Sequence, residues 1–382
     1  MKLVLETLDR LIGFDTVSAR SNLSLIGFVE AFCRERGAET RRISGTTSDK
    51  CGLIARFGPD REDGILLSGH TDVVPAEGQN WTRPPFALTR EGDRLFGRGT
   101  TDMKGFLACM LDAADTAARA DLTRPLTLLF SYDEEIGCVG IQEMRPELET
   151  LLRPQRLCIV GEPTGMQVAT GHKGKAALKA RCTGQSGHSA LAPHFVNALH
   201  LASDFVTGLR GVQAWFEANG ARDAAYDVPY TTLHAGRMTG GTALNIVPDR
   251  AEVDFEYRYL PADGDAAVLS RIEKMADSIA ASYAGRWDGA AIAIERLNAY
   301  PGLEIAADAQ AVRLACDLSP VAGLTKVAFG TEAGVISALG IPTVVCGPGS
   351  MAGQGHKPHE YIELSQLNAC KTMLDRTVGT LT

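Results

Sequence analysis

The stretch Gly64-Ile65-Leu66-Leu67-Ser68-Gly69-His70-Thr71-Asp72-Val73-Val74-Pro75 decides how the rest of the chain is read. Three consecutive apolar residues bounded by glycines suit a short buried strand, and His70 emerges where that strand stops. After a loop, Gly97-Arg98-Gly99-Thr100-Thr101-Asp102-Met103-Lys104-Gly105 delivers an aspartate just ahead of apolar residues at helical spacing, Phe106, Leu107, Met110, Leu111 and Ala114. Asp102 is therefore expected at the N-cap of a helix. The same hand-over recurs downstream: the run 126–130 leads into Asp133-Glu134-Glu135, the run 157–160 into Gly161-Glu162-Pro163, and the run 343–346 through a glycine-rich loop to His356. Ligands of open α/β sheets bind beyond the carboxyl ends of the strands, so four runs ending in acids or histidines predict one shared site.

Strand-like and helix-like segments alternate from the N-terminus to Glu162, which predicts an α/β domain whose mixed, mostly parallel sheet is covered on both faces. From about Gly174 the pattern changes. Extended segments at 175–183, 231–238, 251–259 and 290–294 enclose helical spacing at 196–210 and 268–279, the β-α-β-β-α-β order of a ferredoxin-like domain. Beyond Leu297 the first pattern resumes. The expected division is a first catalytic part at 1–174, an inserted domain at 175–297 and a second catalytic part at 298–382, since His356 must return to the first sheet.

Composition excludes several classes. A net charge of −8 over 382 residues, with basic residues dispersed, offers no footprint for nucleic acid or an anionic membrane. Acids interrupt the N-terminal apolar pattern at Glu6 and Asp9, so an amphipathic helix is expected there and not a signal peptide. Nine cysteines without paired spacing suit a reducing, cytoplasmic setting. Thiolate zinc spacing is absent too, so any metal must be held by oxygen and nitrogen.

Two imidazoles and several carboxylates suit zinc, cobalt or manganese, and a bridging carboxylate would hold two ions about 3.5–4 Å apart. Asp72, two residues beyond His70, is placed to orient its ring. Glu134 and Glu135 are adjacent, so their side chains diverge; one can bind metal while the other remains free as a general base. Each residue alone has an ordinary reading as a cap, a solvated turn or a loop histidine, and it is their recurrence at matching strand ends that points to a hydrolase centre. His188, Asn245 and Arg258 stand out less, the first two reading as turn residues and the third as part of a solvated ion-pair ladder.

These motifs resemble the M20 metallopeptidases, in the group that contains acetylornithine deacetylase and succinyl-diaminopimelate desuccinylase. The resemblance rests on residues 68–75, 97–105, 133–135 and 161–164, on Gly240-Gly-Thr-Ala-Leu-Asn245-Ile-Val-Pro248, and on Gly347-Pro-Gly349 through His356-Lys-Pro358. It implies a zinc-peptidase-like catalytic domain and two Zn²⁺ ions, replaceable by Co²⁺, bridged by Asp102. One ion would also be held by His70 and Glu162, the other by Glu135 and His356. Glu134 becomes the general base and Asp72 the partner of His70. The inserted domain becomes a lid and homodimer interface, whose His188 stabilises the oxyanion across the dimer while Asn245 and Arg258 bind substrate. The implied reaction is hydrolysis of an N-acyl amino acid. The segment Phe329-Gly-Thr-Glu332-Ala-Gly334 resembles the deacetylases more than the desuccinylases, which makes Glu332 a candidate for a cationic substrate end. Thr101 and His359 depart from the common pattern, where Cys and Asp or Asn are frequent.

Overall fold

In the computed structural model, which describes residues 1–18 and 20–382, the chain divides into two compact units, Met1–His172 with Leu303–Thr382, and Lys173–Gly302. Six strands of the large sheet precede the insertion: β1 Glu39–Ser44, β2 Cys51–Phe57, β3 Gly64–His70, β4 Leu126–Ser131, β5 Gln155–Pro163 and β6 Val168–His172. The insertion supplies β7 Gly174–Thr183, β8 Thr232–Gly240, β9 Arg250–Tyr259 and β10 Ala291–Tyr300. The chain then returns with β11 Leu303–Glu304, β12 Leu324–Val327 and β13 Thr343–Gly347.

The large sheet runs β1-β2-β4-β3-β5-β13-β6-β11, with β12 also paired to β6. Its centre is parallel: β4 pairs β3, β3 pairs β5 and β5 pairs β13 in the same direction. The remaining pairs of the main path are antiparallel, so the sheet is mixed about a parallel core. Every residue of β3, β4 and β13 is buried, which is why these strands read as unbroken apolar runs and not as alternations. The helices Lys2–Ile12, Leu23–Arg34, Gly105–Ala117 and Leu364–Gly379 contribute Leu8, Leu11, Val29, Phe106, Met110 and Leu374 to the core of this unit.

The smaller unit is a four-stranded antiparallel sheet in the order β8-β9-β7-β10, with helices Ala198–Asn219 and Asp265–Ala281 packed on it. Val253, Phe255, Tyr257 and Tyr259 of β9 face those helices, while Glu252, Asp254, Glu256 and Arg258 lie on the other face. Two elements run longer than expected. The first helix continues past 210 because Val212 and Phe216 extend its buried stripe, so Gly211 is no stop. β10 continues from 294 to Tyr300, opposite Lys175, and Glu295, Arg296 and Leu297 are exposed at this sheet edge, which blurs the alternation. The insertion accordingly ends at Gly302, not at 297. Among the described residues, no helix is long and apolar enough to cross a membrane.

Candidate metal centre

β4, β3, β5 and β13 lie side by side and parallel, so their carboxyl ends share one edge, and the acids and histidines gather there. His70 is the last residue of β3 and only 1% exposed. Its Nε2 lies 3.1 Å from Asp102 Oδ1 and 3.6 Å from Glu162 Oε1, Glu162 being near the end of β5. On the other side of Asp102, Oδ2 is 3.0 Å from His356 Nε2, which is 3.1 Å from Glu135 Oε2. Two groups result, His70–Asp102–Glu162 and Asp102–Glu135–His356, each with its candidate ligand atoms within 4.8 Å of one another. Asp102 belongs to both and gives one oxygen to each. Contrary to the expectation from sequence, it does not cap the following helix: the helix starts at Gly105, its N-cap position is Lys104, and no side chain caps it. The Asp102 carboxylate is bonded to the two histidines instead.

Asp72 anchors both sides of this arrangement. His70 Nδ1 is 3.0 Å from the Asp72 main-chain oxygen and 3.4 Å from its carboxylate Oδ1. The same carboxylate accepts from Ser18 Oγ at 2.7 Å and from the main-chain N–H groups of Glu134 and Glu135 at 3.1 and 3.2 Å. It thus ties the turn after β4 to the ring. Asp133, with a left-handed φ of 53°, forms a buried ion pair with Lys50 at 2.6 Å. The two glutamates then part company: Glu135 meets His356, whereas Glu134 Oε1 is 3.3 Å from Cys138 Sγ and Glu134 joins neither group.

The electrostatics show a cluster short of positive charge. Burial pushes the carboxyl of Glu135 up to about 7, with the charge of Asp102 adding to it. Glu134 and Glu162 are also raised well above the ordinary carboxylate range, burial again leading. For Asp102 burial acts in the same sense, but the hydrogen bonds from His356 and His70 outweigh it and hold the group below the ordinary carboxylate range. His356 is raised to about 10 by its hydrogen bonds to Asp102 and Glu135. His70 is raised as well, burial being overcome by Asp102 and Asp72. Acids that hold protons and imidazoles that gain them are what crowded carboxylates produce, and divalent cations relieve the same imbalance. A donor set of imidazole nitrogen and carboxylate oxygen fits zinc, cobalt or manganese.

Glu332 takes a different place from the one expected of a substrate contact. It is 1% exposed, heads the helix Ala333–Ser337, and accepts from Ser131 Oγ at 2.7 Å at the end of β4. In the smaller unit, His188 is exposed, pairs with Ile246, and its Nδ1 accepts from the Ala190 N–H at 3.1 Å. Asn245 is exposed as well, its main-chain oxygen accepting from the Ser189 N–H. The Nε of Arg258 is 3.1 Å from Glu256 Oε1 on the charged face of β9. Sequence reasoning passed over Ser18, Cys138, Arg98, Gln79 and Glu360, each of which touches the centre's supporting bonds. Their only signal in sequence was Arg98 and Glu360, two charges placed beside ligand motifs.

Comparison with known proteins bears on the chemistry. The profile of Peptidase family M20/M25/M40 matches residues 66–380. The chain belongs to this family. It is 32% identical over 355 residues to the acetylornithine deacetylase of Aliivibrio fischeri, covering 93% of this chain and 90% of that one. To the acetylornithine deacetylase of Salmonella arizonae it is 33% identical over 382 residues, covering 98% and 96%. Among solved structures, the fold is shared with the M20 family metallo-carboxypeptidase Sso-CP2 of Sulfolobus solfataricus (TM-score 0.78, 18% identity, 99% of both chains). It is shared also with the YXEP protein of Bacillus subtilis, a dinuclear metal-binding M20 peptidase (TM-score 0.70, 16% identity, 99% of this chain and 97% of that one). This M20 chain is thus a hydrolase acting on amide bonds, and its two acid–histidine groups lie within the matched residues.

Proposed function

We propose that the protein is a dizinc amidohydrolase that removes the acetyl group from Nα-acetyl-L-ornithine, giving L-ornithine and acetate in arginine biosynthesis. The observation that carries the hydrolytic reading is the pair of ligand groups sharing Asp102, with Glu134 beside them and in neither. The full-length likeness to acetylornithine deacetylases supports the substrate. His70 and Glu162 with one oxygen of Asp102 would hold one ion, and Glu135 and His356 with the other oxygen the second. When bound, such ions polarise the acyl carbonyl and lower the pKa of water.

Glu134 is assigned the proton transfers, taking the proton of the attacking water and returning it to the leaving nitrogen. Its N–H is tied to Asp72 and its carboxyl to Cys138, so the base is aimed before substrate arrives. On the family resemblance, His188 is assigned the oxyanion donor, acting across a homodimer formed through the insertion, and Asn245 and Arg258 are assigned to the substrate, whose α-carboxylate suits a guanidinium. No substrate contact is assigned to Glu332, because its carboxyl is buried against Ser131. The described cysteines are unpaired and mostly buried, which supports a cytoplasmic setting.

The test is acetate release from Nα-acetyl-L-ornithine by zinc- or cobalt-loaded protein, with acetylcitrulline, acetylmethionine and succinyl-diaminopimelate in parallel. Preference for acetylornithine is expected; strong turnover of another acyl amino acid would retain the chemistry and discard the substrate. Glu134→Ala is expected to lose ~10²–10⁴-fold in turnover with metal content unchanged. An active variant would remove Glu134 from the role of base.

A further inference from the structure

Asp102 and His356 both sit on irregular backbone. Asp102, at φ −125° and ψ 93°, precedes its helix, while His356 and His359 adopt left-handed φ values of 58° and 59° in the loop before the strand Tyr361–Glu363. Left-handed backbone is uncommon for residues other than glycine, so such a loop needs bonds from outside.

We propose that Glu360, through Arg98 and Gln79, is a positioning residue that holds the Asp102 and His356 segments together at the spacing the metal pair requires. Glu360 is fully buried, and its Oε1 accepts from the main-chain N–H groups of Thr101 at 3.0 Å and Asp102 at 3.1 Å. Its Oε2 takes Arg98 Nη1 at 2.7 Å, and Arg98 is itself fully buried. The other guanidinium nitrogen, Nη2, donates to the Pro75 carbonyl at 3.2 Å and to Gln79 Oε1. Trp81 Nε1 also donates to Gln79 Oε1, at 3.1 Å. With its oxygen taken by two donors, the Gln79 amide must turn its nitrogen outward, and that nitrogen donates to the His356 main-chain oxygen at 3.2 Å.

One carboxylate is therefore linked to the main chain of both segments, and every bond named ends on backbone or within the network, leaving the ligand side chains of Asp102 and His356 free for metal. A buried ion pair is a poor source of stability in itself, because desolvation offsets its attraction. What it supplies here is fixed geometry, since a planar guanidinium engages Glu360 and Gln79 through different nitrogens. The His356 side chain is 41% exposed, whereas those of His70, Asp102, Glu135 and Glu162 are 7% exposed or less.

This inference rests on the two-metal reading above, and the experiment separates them. Metal-free wild type, Glu360→Gln and Gln79→Ala are titrated with cobalt by calorimetry, and the thermal midpoint of each metal-free protein is measured alongside. Wild type is expected to take two equivalents. Glu360→Gln is expected to bind cobalt ~10–100-fold more weakly, as losses of such supporting partners usually do. Gln79→Ala, a half-buried change that spares the ion pair, is expected to weaken one of the two equivalents by ~10-fold with an unchanged metal-free midpoint. If Glu360→Gln fails to fold, Gln79→Ala decides alone. Wild-type affinity for both ions in Gln79→Ala overturns the linkage to His356, and wild-type affinity in a folded Glu360→Gln overturns the whole proposal. A wild type that takes up no cobalt overturns the two-metal reading and this inference with it.

Discussion

Glu332 shows how much one buried carboxyl can weigh. Burial pushes its pKa from 4.5 to about 7, against the opposing influence of His70 and the Ser131 hydroxyl. A folded-state pKa above the unfolded one means that the native chain keeps a proton which the unfolded chain releases. Stability therefore falls as pH rises from about 4.5 to about 7 and stays lowered beyond, by ~3 kcal/mol if no compensating charge moves. Glu332→Gln keeps an acceptor for Ser131 and has no proton to lose. In metal-free protein, the urea midpoint of the variant is expected to gain on wild type between pH 4.5 and about 7 and to keep that lead above it, and parallel pH curves would show that Glu332 does not titrate there.

Elements are held at this edge by close approach. A Cβ added to Gly161 in β5 would lie 2.0 Å from ring carbons of Phe106, which the helix Gly105–Ala117 buries against the sheet. That contact has Glu162 just after it on the strand and Asp102 just before the helix, so strand and helix position ligands through it. Gly161→Ala must displace the ring or the helix, an overpacking that costs ~1–3 kcal/mol. For a unit the size of the larger one, about 250 residues, the thermal midpoint should drop by ~2 °C per kcal/mol, with weakened metal uptake beside it. An unchanged midpoint would mean that the helix can slide without cost. The length of β3 and the start of β13 were legible in sequence because fully buried parallel strands appear as apolar runs between turn residues. The far end of β10 was not, since an exposed edge strand has one weakly apolar face.

At the scale of the whole molecule, the larger unit closes around a concentration of acids, and its stability should follow metal and pH together. The raised acid Glu135 and the raised base His356 act in the same sense. The proton that Glu135 retains makes the metal-free fold lose stability from about pH 4.5 to about 7, and the charge that stabilises His356 below about 6.5 is lost towards about pH 10. Metal held by the two groups would replace those protons. Chelation is therefore expected to lower the thermal midpoint, and by more at pH 8.5 than at pH 5.5. Metal at a hundredfold excess over its Kd would contribute ~2.7 kcal/mol. A midpoint gap independent of pH would show that protons do not take the place of the ions in the metal-free fold.

The amino-acid sequence by itself determined the alternation of strands and helices, the insertion, and the set of residues arriving at strand ends, because each depends on side-chain periodicity within a few residues. It also singled out His70, Asp102, Glu135, Glu162 and His356, whose types and places after strands or before a helix are local facts. Only the tertiary structure decided what they touch. Asp102 turned from cap to shared acid because two histidines 32 residues before and 254 residues after it come within hydrogen-bonding reach, while the main-chain N–H of Asp102 is bound by Glu360, 258 residues away. Glu332, a candidate for a cationic substrate end by sequence, heads its helix and is buried against Ser131 at the end of β4. Such pairings are chosen by which strands lie side by side, and no local pattern in the chain carries that order.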